Sequence, residues 1–126
     1  MKTILWVSAA ILAIIIGNLG INWYLDRTAA ELSQQIAEVQ QLVRTNQWAE
    51  AISSFEQTDG HWKQVRSTWA ALIRHQEIDE LEKTFGRVTQ FIASEDRNMS
   101  LAELETAKLL IEHIPDKEKI TISNIL

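Results

Sequence analysis

Residues 48–73, WAEAISSFEQTDGHWKQVRSTWAALI, carry the pattern that decides the fold. Large aromatic side chains recur there at every seventh position, namely Trp48, Phe55, Trp62 and Trp69. Seven residues make about two turns of an α-helix, so the four rings share one face. Asp59-Gly60 resembles a turn, but the recurrence keeps its phase across it. The pattern therefore predicts one long helix over 47–74, with Gly60 as a weak point or kink.

The aromatic stripe has two interpretations. Three tryptophans and a phenylalanine on one face suggest a ligand groove. They also suit the core of a thin helical bundle, which must bury much apolar area with few residues. We favour the core, and we expect Phe85 of the following helix to join it.

Apolar side chains at helical spacing predict three further helices. The sets are Leu32, Ile36, Val39 and Val43 before the aromatic helix, Ile78, Leu81, Phe85, Val88 and Ile92 after it, and Leu101, Leu104, Ala107, Ile111 and Ile114 last. The second set is out of phase with the aromatic stripe, so a break is expected near residues 75–77. We predict an all-α protein in which about four helices form an antiparallel up-and-down bundle.

Several residues predict helix ends. Asn46 is a good N-cap for the aromatic helix. Ser100 and Glu103 have the spacing of a capping box, which predicts the start of the last helix. Pro115 disfavours helical geometry at Ile114, so the last helix should stop there and leave a mostly irregular tail.

The N-terminal segment Ile4–Leu25 carries no charge. As a helix it would span roughly 33 Å, about one hydrocarbon core. Trp6 lies near one end and Trp23-Tyr24 at the other, where amphipathic rings prefer the membrane interface. The segment therefore predicts a transmembrane anchor. We favour a helix that continues unbroken beyond it, because no Gly or Pro lies within residues 22–44, over one that restarts at 28–31.

Charge at the two ends of the anchor predicts its orientation. Lys2 and the amino terminus lie on the short side, and Asp26, Arg27 and Glu31 give no positive excess on the other. The positive-inside rule then places residues 1–3 in the cytoplasm, 4–25 in the membrane and 26–126 outside. A cleaved signal peptide is the alternative, but its small-residue site at 28–30 lies too far beyond the apolar core.

Small residues within the anchor predict a helix contact. Ala9, Ala13 and Gly17 lie four apart on one face, and we place Asn18 close to that face. Small side chains let membrane helices approach, and a buried Asn needs a polar partner. The contact would be with a second copy or another membrane protein. Small residues are also simply common in such helices.

Composition excludes several kinds of function. The chain has no cysteine, which excludes disulfides and thiolate metal sites. Its formal net charge of -5 gives it no general attraction for nucleic acid. Phosphate-binding glycine motifs, nucleophile elbows and HExxH are absent from the sequence. We therefore expect a protein that is not an enzyme and has no cofactor.

The histidines support one sharper hypothesis. We predict that His75 and His113 lie at the C-terminal ends of two helices, on the membrane-proximal side of the bundle. With carboxylates nearby, such a pair suits a metal site or a pH switch. Both imidazoles could instead cap exposed helix carbonyls. His61 is expected to face solvent.

Three segments carry a resemblance to a known family. They are Trp48 with Ala51, the pattern W…W-x-x-L-I-x-H-x-E-I-D over 62–79, and L-L-x-E-H-I-P-x-K-E-K over 109–119. The chain resembles a family of small bacterial single-pass membrane proteins, a domain of unknown function; Asp59-Gly60 departs from its pattern. The resemblance implies no activity. It implies a bacterial cell-membrane protein, common in spore-formers and sometimes encoded near YetF-type membrane proteins, which suggests a partner.

The leading hypothesis is a membrane-anchored, non-enzymatic adaptor or accessory subunit. Its predicted partners are the lipid bilayer and another membrane protein. One alternative is a ligand- or metal-sensing module that uses the His75/His113 end. The other is a homo-oligomeric scaffold held together by the Ala9–Ala13–Gly17 face.

Overall fold

The computed structural model describes the backbone of residues 1–125 and the side chains of residues 1–116. This part of the chain forms four helices, α1 (Lys2–Arg44), α2 (Trp48–Leu72), α3 (His75–Ala93) and α4 (Arg97–Ile125). Each helix packs against the next, and α4 packs back against α1. The result is an antiparallel bundle preceded by a long apolar helical segment, which confirms the predicted fold class.

α1 is one uninterrupted helix from the predicted anchor into the bundle. The prediction that the anchor helix continues unbroken is therefore confirmed. Thr28 does not cap a new helix. Its hydroxyl donates to the carbonyl of Tyr24 at 2.9 Å, which is a bond within the existing helix. The second half of α1 buries a stripe at helical spacing, Leu25, Leu32, Ile36, Val39 and Val43.

α2 is also a single helix, and it continues through Gly60 without a break. Its aromatic rings lie in the core, where Trp62 meets Trp69 edge to face at a centroid distance of 5.5 Å. Phe55 meets Phe85 in the same manner at 5.3 Å. Such pairs stabilise a core by about 0.5–1.5 kcal/mol beyond the burial of their area. Trp48 is half-buried and packs against this core from its edge.

The two turns that follow α1 and α3 are built alike. Asn46 and Glu95 both have positive φ, 57° and 56°. In each turn the next amide bonds to the carbonyl five residues back, Gln47 to Leu42 at 2.9 Å and Asp96 to Phe91 at 3.0 Å. This is the Schellman arrangement of a helix C-terminus. Asn46 therefore ends α1, and its prediction as the N-cap of α2 is wrong.

α4 begins four residues earlier than its capping-box pattern predicts. The carboxylate of Asp96 accepts a hydrogen bond from the Met99 amide at 3.0 Å and so caps the helix. Ser100 is fully buried inside the first turns, and Glu103 bonds Arg87 of α3. The prediction failed because the Schellman turn ends at Asp96, whose carboxylate caps the helix before Ser100 is reached.

Pro115 does not end α4, so the predicted stop at Ile114 and the irregular tail are both wrong. The helix continues to Ile125 with Pro115 inside it. Proline inside a helix removes one amide hydrogen bond and crowds the carbonyl four residues back, at a cost of about 3 kcal/mol. Ile114 is 1% exposed and Pro115 is buried, and Pro115 shares a surface with Ala29 and Ala30 of α1. Tertiary packing therefore outweighs the local preference.

Candidate membrane and partner-binding surfaces

The first half of α1 is an apolar surface that the bundle leaves uncovered. α1 is long and apolar enough to cross a membrane, and its most apolar window is 0% buried. The large exposed side chains are Ile4, Leu5, Trp6, Val7, Ile11, Leu12, Ile14, Ile15, Ile16, Leu19, Ile21 and Trp23. So much contiguous apolar surface needs lipid or protein to cover it.

The transition between the two halves of α1 falls at Trp23. Trp23 is 61% exposed, and the Arg27 guanidinium lies 5.2 Å from its ring centroid. Tyr24 packs against the core, and Leu25 is 2% exposed within it. The exposed apolar stretch therefore runs over 4–23, about 30 Å of helix. Leu25, predicted as its last residue, belongs to the bundle.

Contacts to α1 show which parts of the bundle lie closest to this transition. The Trp69 indole N–H donates to the Thr28 hydroxyl at 2.9 Å. α2 ends at Leu72, three residues beyond Trp69, so the α2–α3 turn comes close to the Trp23–Leu25 transition. Ser33 donates to Glu112 at 2.6 Å, and the same antiparallel register, carried to the end of the α4 backbone, brings it level with residue 20. We therefore expect both features near the end of the apolar half of α1.

The predicted positions of two histidines are wrong. His75 is the first residue of α3, because α2 ends at Leu72 and Ile73 is extended (φ −125°, ψ 151°). His113 lies inside α4, which continues through Pro115. Both side chains are exposed. Among the residues that the structure describes, no group of three His, Asp or Glu side chains could hold a metal ion.

His61, expected to face solvent, instead joins α2 to α1. Its side chain is 21% exposed, with Nδ1 3.0 Å from Oε1 of Gln35 and Nε2 3.7 Å from Oε2 of Glu31. Gln35 and Glu31 lie four apart on α1 and so present side by side. The spacing of Glu31 and Gln35 can be read from the sequence, but the sequence does not show that His61 packs against these two residues.

Helical rotation relates the small residues of the span to the bundle. At about 100° per residue, Ala9 and Ala13 lie roughly 160° and 120° from Leu25, on the uncovered side. A Cβ added to Gly17 would meet no atom within 4 Å. Asn18 lies only about 20° from Leu25, so it continues the buried stripe. Accordingly Asn18 is half-buried, on a different face from the one predicted.

A family model described as a domain of unknown function, DUF4363, matches residues 19–125. The chain belongs to the DUF4363 family. The expected membership of a family of unknown function is thus confirmed. No curated protein and no solved structure matches the chain. The match takes in the whole bundle and the last turns of the apolar stretch.

A furrow runs between α2 and α3 of the DUF4363 domain. Two cavities of about 250 Å³ each lie end to end along it and share Asp59 and Thr89. The lining residues are Ile52, Phe55, Glu56, Asp59, Trp62 and Lys63 of α2 and Glu82, Phe85, Gly86, Thr89, Ile92 and Ala93 of α3. We call this surface the α2–α3 furrow. Reasoning from the sequence missed it, since one chain's periodicity does not show how far two helices separate.

Ion pairs border the α2–α3 furrow. Arg66 of α2 bonds Glu82 of α3 at the end of the furrow nearer the α2–α3 turn. The hydrogen bond with Glu82 and the charges of Glu82 and Asp79 raise the pKa of Arg66. Lys63 pairs with Asp59 at 2.8 Å along the rim. The acids that bound the furrow thus outnumber its bases.

The floor of the furrow is apolar with one polar exception. Trp62 is 1% exposed, and its indole Nε1 has no hydrogen-bond partner among the described residues. A buried donor without an acceptor costs roughly 1–3 kcal/mol. Gly86 contributes no side chain to the α3 wall of the furrow, and a Cβ added there would meet no atom within 4 Å.

A shallower cavity of about 420 Å³ lies between α1 and α4. Short side chains form its α1 wall, including Ala30, Ser33 and Ala37. Two of its polar groups bond each other, since Ser33 donates to Glu112 across the cavity. This bond ties α1 to α4 within the bundle.

Proposed function

We propose that this DUF4363 protein is a membrane-anchored, non-enzymatic accessory subunit of a membrane complex. The observation that carries the proposal is α1, one helix whose first half is apolar and uncovered and whose second half is built into the bundle core. An unbroken helix transmits position and orientation, so the bundle would be held at a set height and rotation beside a partner in the same membrane.

The proposed topology follows from charge and register. Lys2 marks the cytoplasmic side, residues 4–23 cross the membrane, and the bundle lies on the extracytoplasmic side. Trp23 and Arg27 then stand at the outer interface, where an aromatic ring and a snorkelling guanidinium are stable. The α2–α3 turn at Arg74 would face the same interface.

The charged residues support a structural role. Arg87 reaches Glu103 of α4 at 2.9 Å and Glu80 of its own helix at 3.7 Å. Arg27 bonds Glu31, one turn along α1, at 3.1 Å. Carboxylates held in such pairs stabilise helix and bundle geometry, and among the described residues no two of these carboxylates are set apart as an acid and a base.

Affinity purification of the tagged full-length chain from its native membranes tests the proposal. An accessory subunit should be recovered with one membrane protein in stoichiometric amount. A chain recovered alone and monomeric from mild detergent would overturn the proposal. A Lys2-side tag that protease reaches from outside intact cells would overturn the topology.

Self-association through α1 is the second candidate function. It is favoured by the rotation of Ala9 and Ala13 away from the bundle, which leaves that face free to meet a second span. Ala13→Leu should then convert a cross-linked dimer to monomer in lipid. The same substitution at Ile14, Ile14→Leu, is the control that should leave the dimer intact. Recovery of only self-associated chain would support this candidate over the first.

A further inference from the structure

We propose that the α2–α3 furrow is the docking site for a basic amphipathic helix of the partner protein. This inference rests on the proposed accessory role and assigns that role a surface outside the membrane. It depends on the shape, the floor and the charge of the furrow.

The shape suits a helix better than a small molecule. Each cavity holds about 250 Å³, whereas small-molecule sites usually enclose about 300–1,000 Å³. The two lie in line over Ile52–Lys63, about 17 Å or three helical turns. Two shallow depressions along a line match apolar side chains from successive turns of a docked helix.

The furrow offers apolar contact mainly at its rim. Ile52 there is 39% exposed, whereas Phe55, Phe85 and Ile92 beneath it are at most 3% exposed and already pack in the core. Gly86 faces open space on the α3 wall. A wall without a side chain permits close approach of another helix.

Charge selects the occupant. The furrow and its end nearer the α2–α3 turn carry four carboxylates, Glu56, Asp59, Asp79 and Glu82, against Lys63 and Arg66. Two negative charges are therefore in excess, in a chain whose formal net charge is -5. Lysines or arginines flanking an apolar stripe complement this rim, and a second copy of this acidic chain suits it less well.

Binding of a model peptide tests the proposal on the full chain in nanodiscs of zwitterionic lipid. The probe is a fluorescein-labelled amphipathic Leu/Lys helix of about 14 residues, long enough to cover the furrow. Its counterpart has Glu at every Lys position. We expect anisotropy to report binding of the Leu/Lys probe above that to empty nanodiscs, and no such binding of the Leu/Glu peptide.

Two glycines provide matched variants. Gly86→Leu fills the furrow, whereas Gly60→Leu places the same side chain at another open, exposed helix position outside the lining. Gly86→Leu should weaken binding roughly tenfold or more, and Gly60→Leu should leave it unchanged. Glu56→Lys should weaken Leu/Lys binding without unfolding the bundle, because Glu56 is exposed.

Three results would overturn the proposal. They are Leu/Lys binding equal to that of empty nanodiscs, equal binding to wild type and Gly86→Leu, and a dimer of the chain that Gly86→Leu breaks. The last would assign the furrow to a second copy. A stoichiometric membrane partner that still copurifies with Gly86→Leu would leave the accessory role standing while the furrow assignment falls.

Discussion

The two halves of α1 are built on one continuous helix and meet opposite surroundings. Over 4–23 the large apolar side chains are exposed on every side of the helix. From Leu25 to Val43 apolar side chains occupy one stripe, and that stripe is buried. Backbone continuity therefore does not mean one environment. The distribution of apolar residues around the helix, rather than their presence, distinguishes a segment suited to lipid from one suited to a protein core.

Replacing a tryptophan that lies in or packs on each half of α1 should give the largest difference in unfolding stability between the two halves. Trp69 is 0% exposed in the core, so Trp69→Ala should lower the free energy of unfolding by about 3–5 kcal/mol. Trp23 is 61% exposed and lies against the Arg27 guanidinium, so Trp23→Ala should change the free energy of unfolding by less than about 1 kcal/mol. Denaturant unfolding of the full chain in micelles, followed by circular dichroism, measures both. Equal losses would contradict the distinction.

A positive charge introduced into each half of α1 tests whether the apolar half inserts into a membrane. Ile14→Arg puts a guanidinium in the middle of the exposed apolar stretch and should cost about 2.5–3.5 kcal/mol of membrane insertion. Glu38→Arg, on the exposed face of the second half, should cost nothing measurable. The readout is the fraction of chain that resists carbonate extraction. Equal extraction of the two variants would remove the basis for a span.

The hydroxyl of Thr28 tests the junction between the halves. Thr28→Val keeps the shape but removes the acceptor of the Trp69 indole N–H. Since that donor would be left buried, unfolding stability should fall by about 1–3 kcal/mol. Thr45→Val removes an exposed hydroxyl that donates to the Gln41 carbonyl and accepts from the exposed Gln47 side-chain amide, and it should cost under about 0.5 kcal/mol because water can replace both partners. The same unfolding assay measures both, and no loss in Thr28→Val would show that the junction is not held there.

The smallest expected change in stability, and one of opposite sign, concerns the turn between α3 and α4. Glu95 has a φ of 56°, which costs a residue with a side chain more than it costs glycine. Glu95→Gly should therefore raise stability by about 0.5–1 kcal/mol. Ser94→Gly, one residue earlier at ordinary φ, should lower it. A rise in both variants would mean that the turn is not held in the Schellman geometry.

Periodicity was enough to predict the helices but not all their ends. The seven-residue recurrence from Trp48 to Trp69 survives Gly60 because burial of the rings outweighs a glycine's cost of about 1 kcal/mol. The ends depended on competing caps. Asn46 suits both a helix start and a helix end, and the Schellman bonds show that it ends α1. Asp96 closes the second Schellman turn with its amide and caps α4 with its carboxylate.

The candidate surfaces were predictable only in part. The uncharged run after Lys2 predicts the apolar half of α1 directly. The predictions for Pro115 and His113 were wrong because local preference does not contain the packing of α4 against α1. The prediction for His75 was wrong because α2 ends at Leu72, earlier than its periodicity indicated. The α2–α3 furrow depends on the separation of two helices around Gly86, which the spacing of residues within either helix does not determine.

The most direct test of the central claim is a cysteine scan along α1, since the chain has no native cysteine to interfere. Nitroxide labels at successive positions from 8 to 40, on the full chain in bilayers, report oxygen and water accessibility. We expect oxygen access on every side of the helix through residue 17, and over 18–23 on every side except that of the half-buried Asn18. Beyond residue 23 we expect a 3.6-residue alternation of buried and water-exposed labels without a break in phase. Water access at residues 10–16, or a phase break at 24–28, would contradict one continuous helix that serves both membrane and bundle.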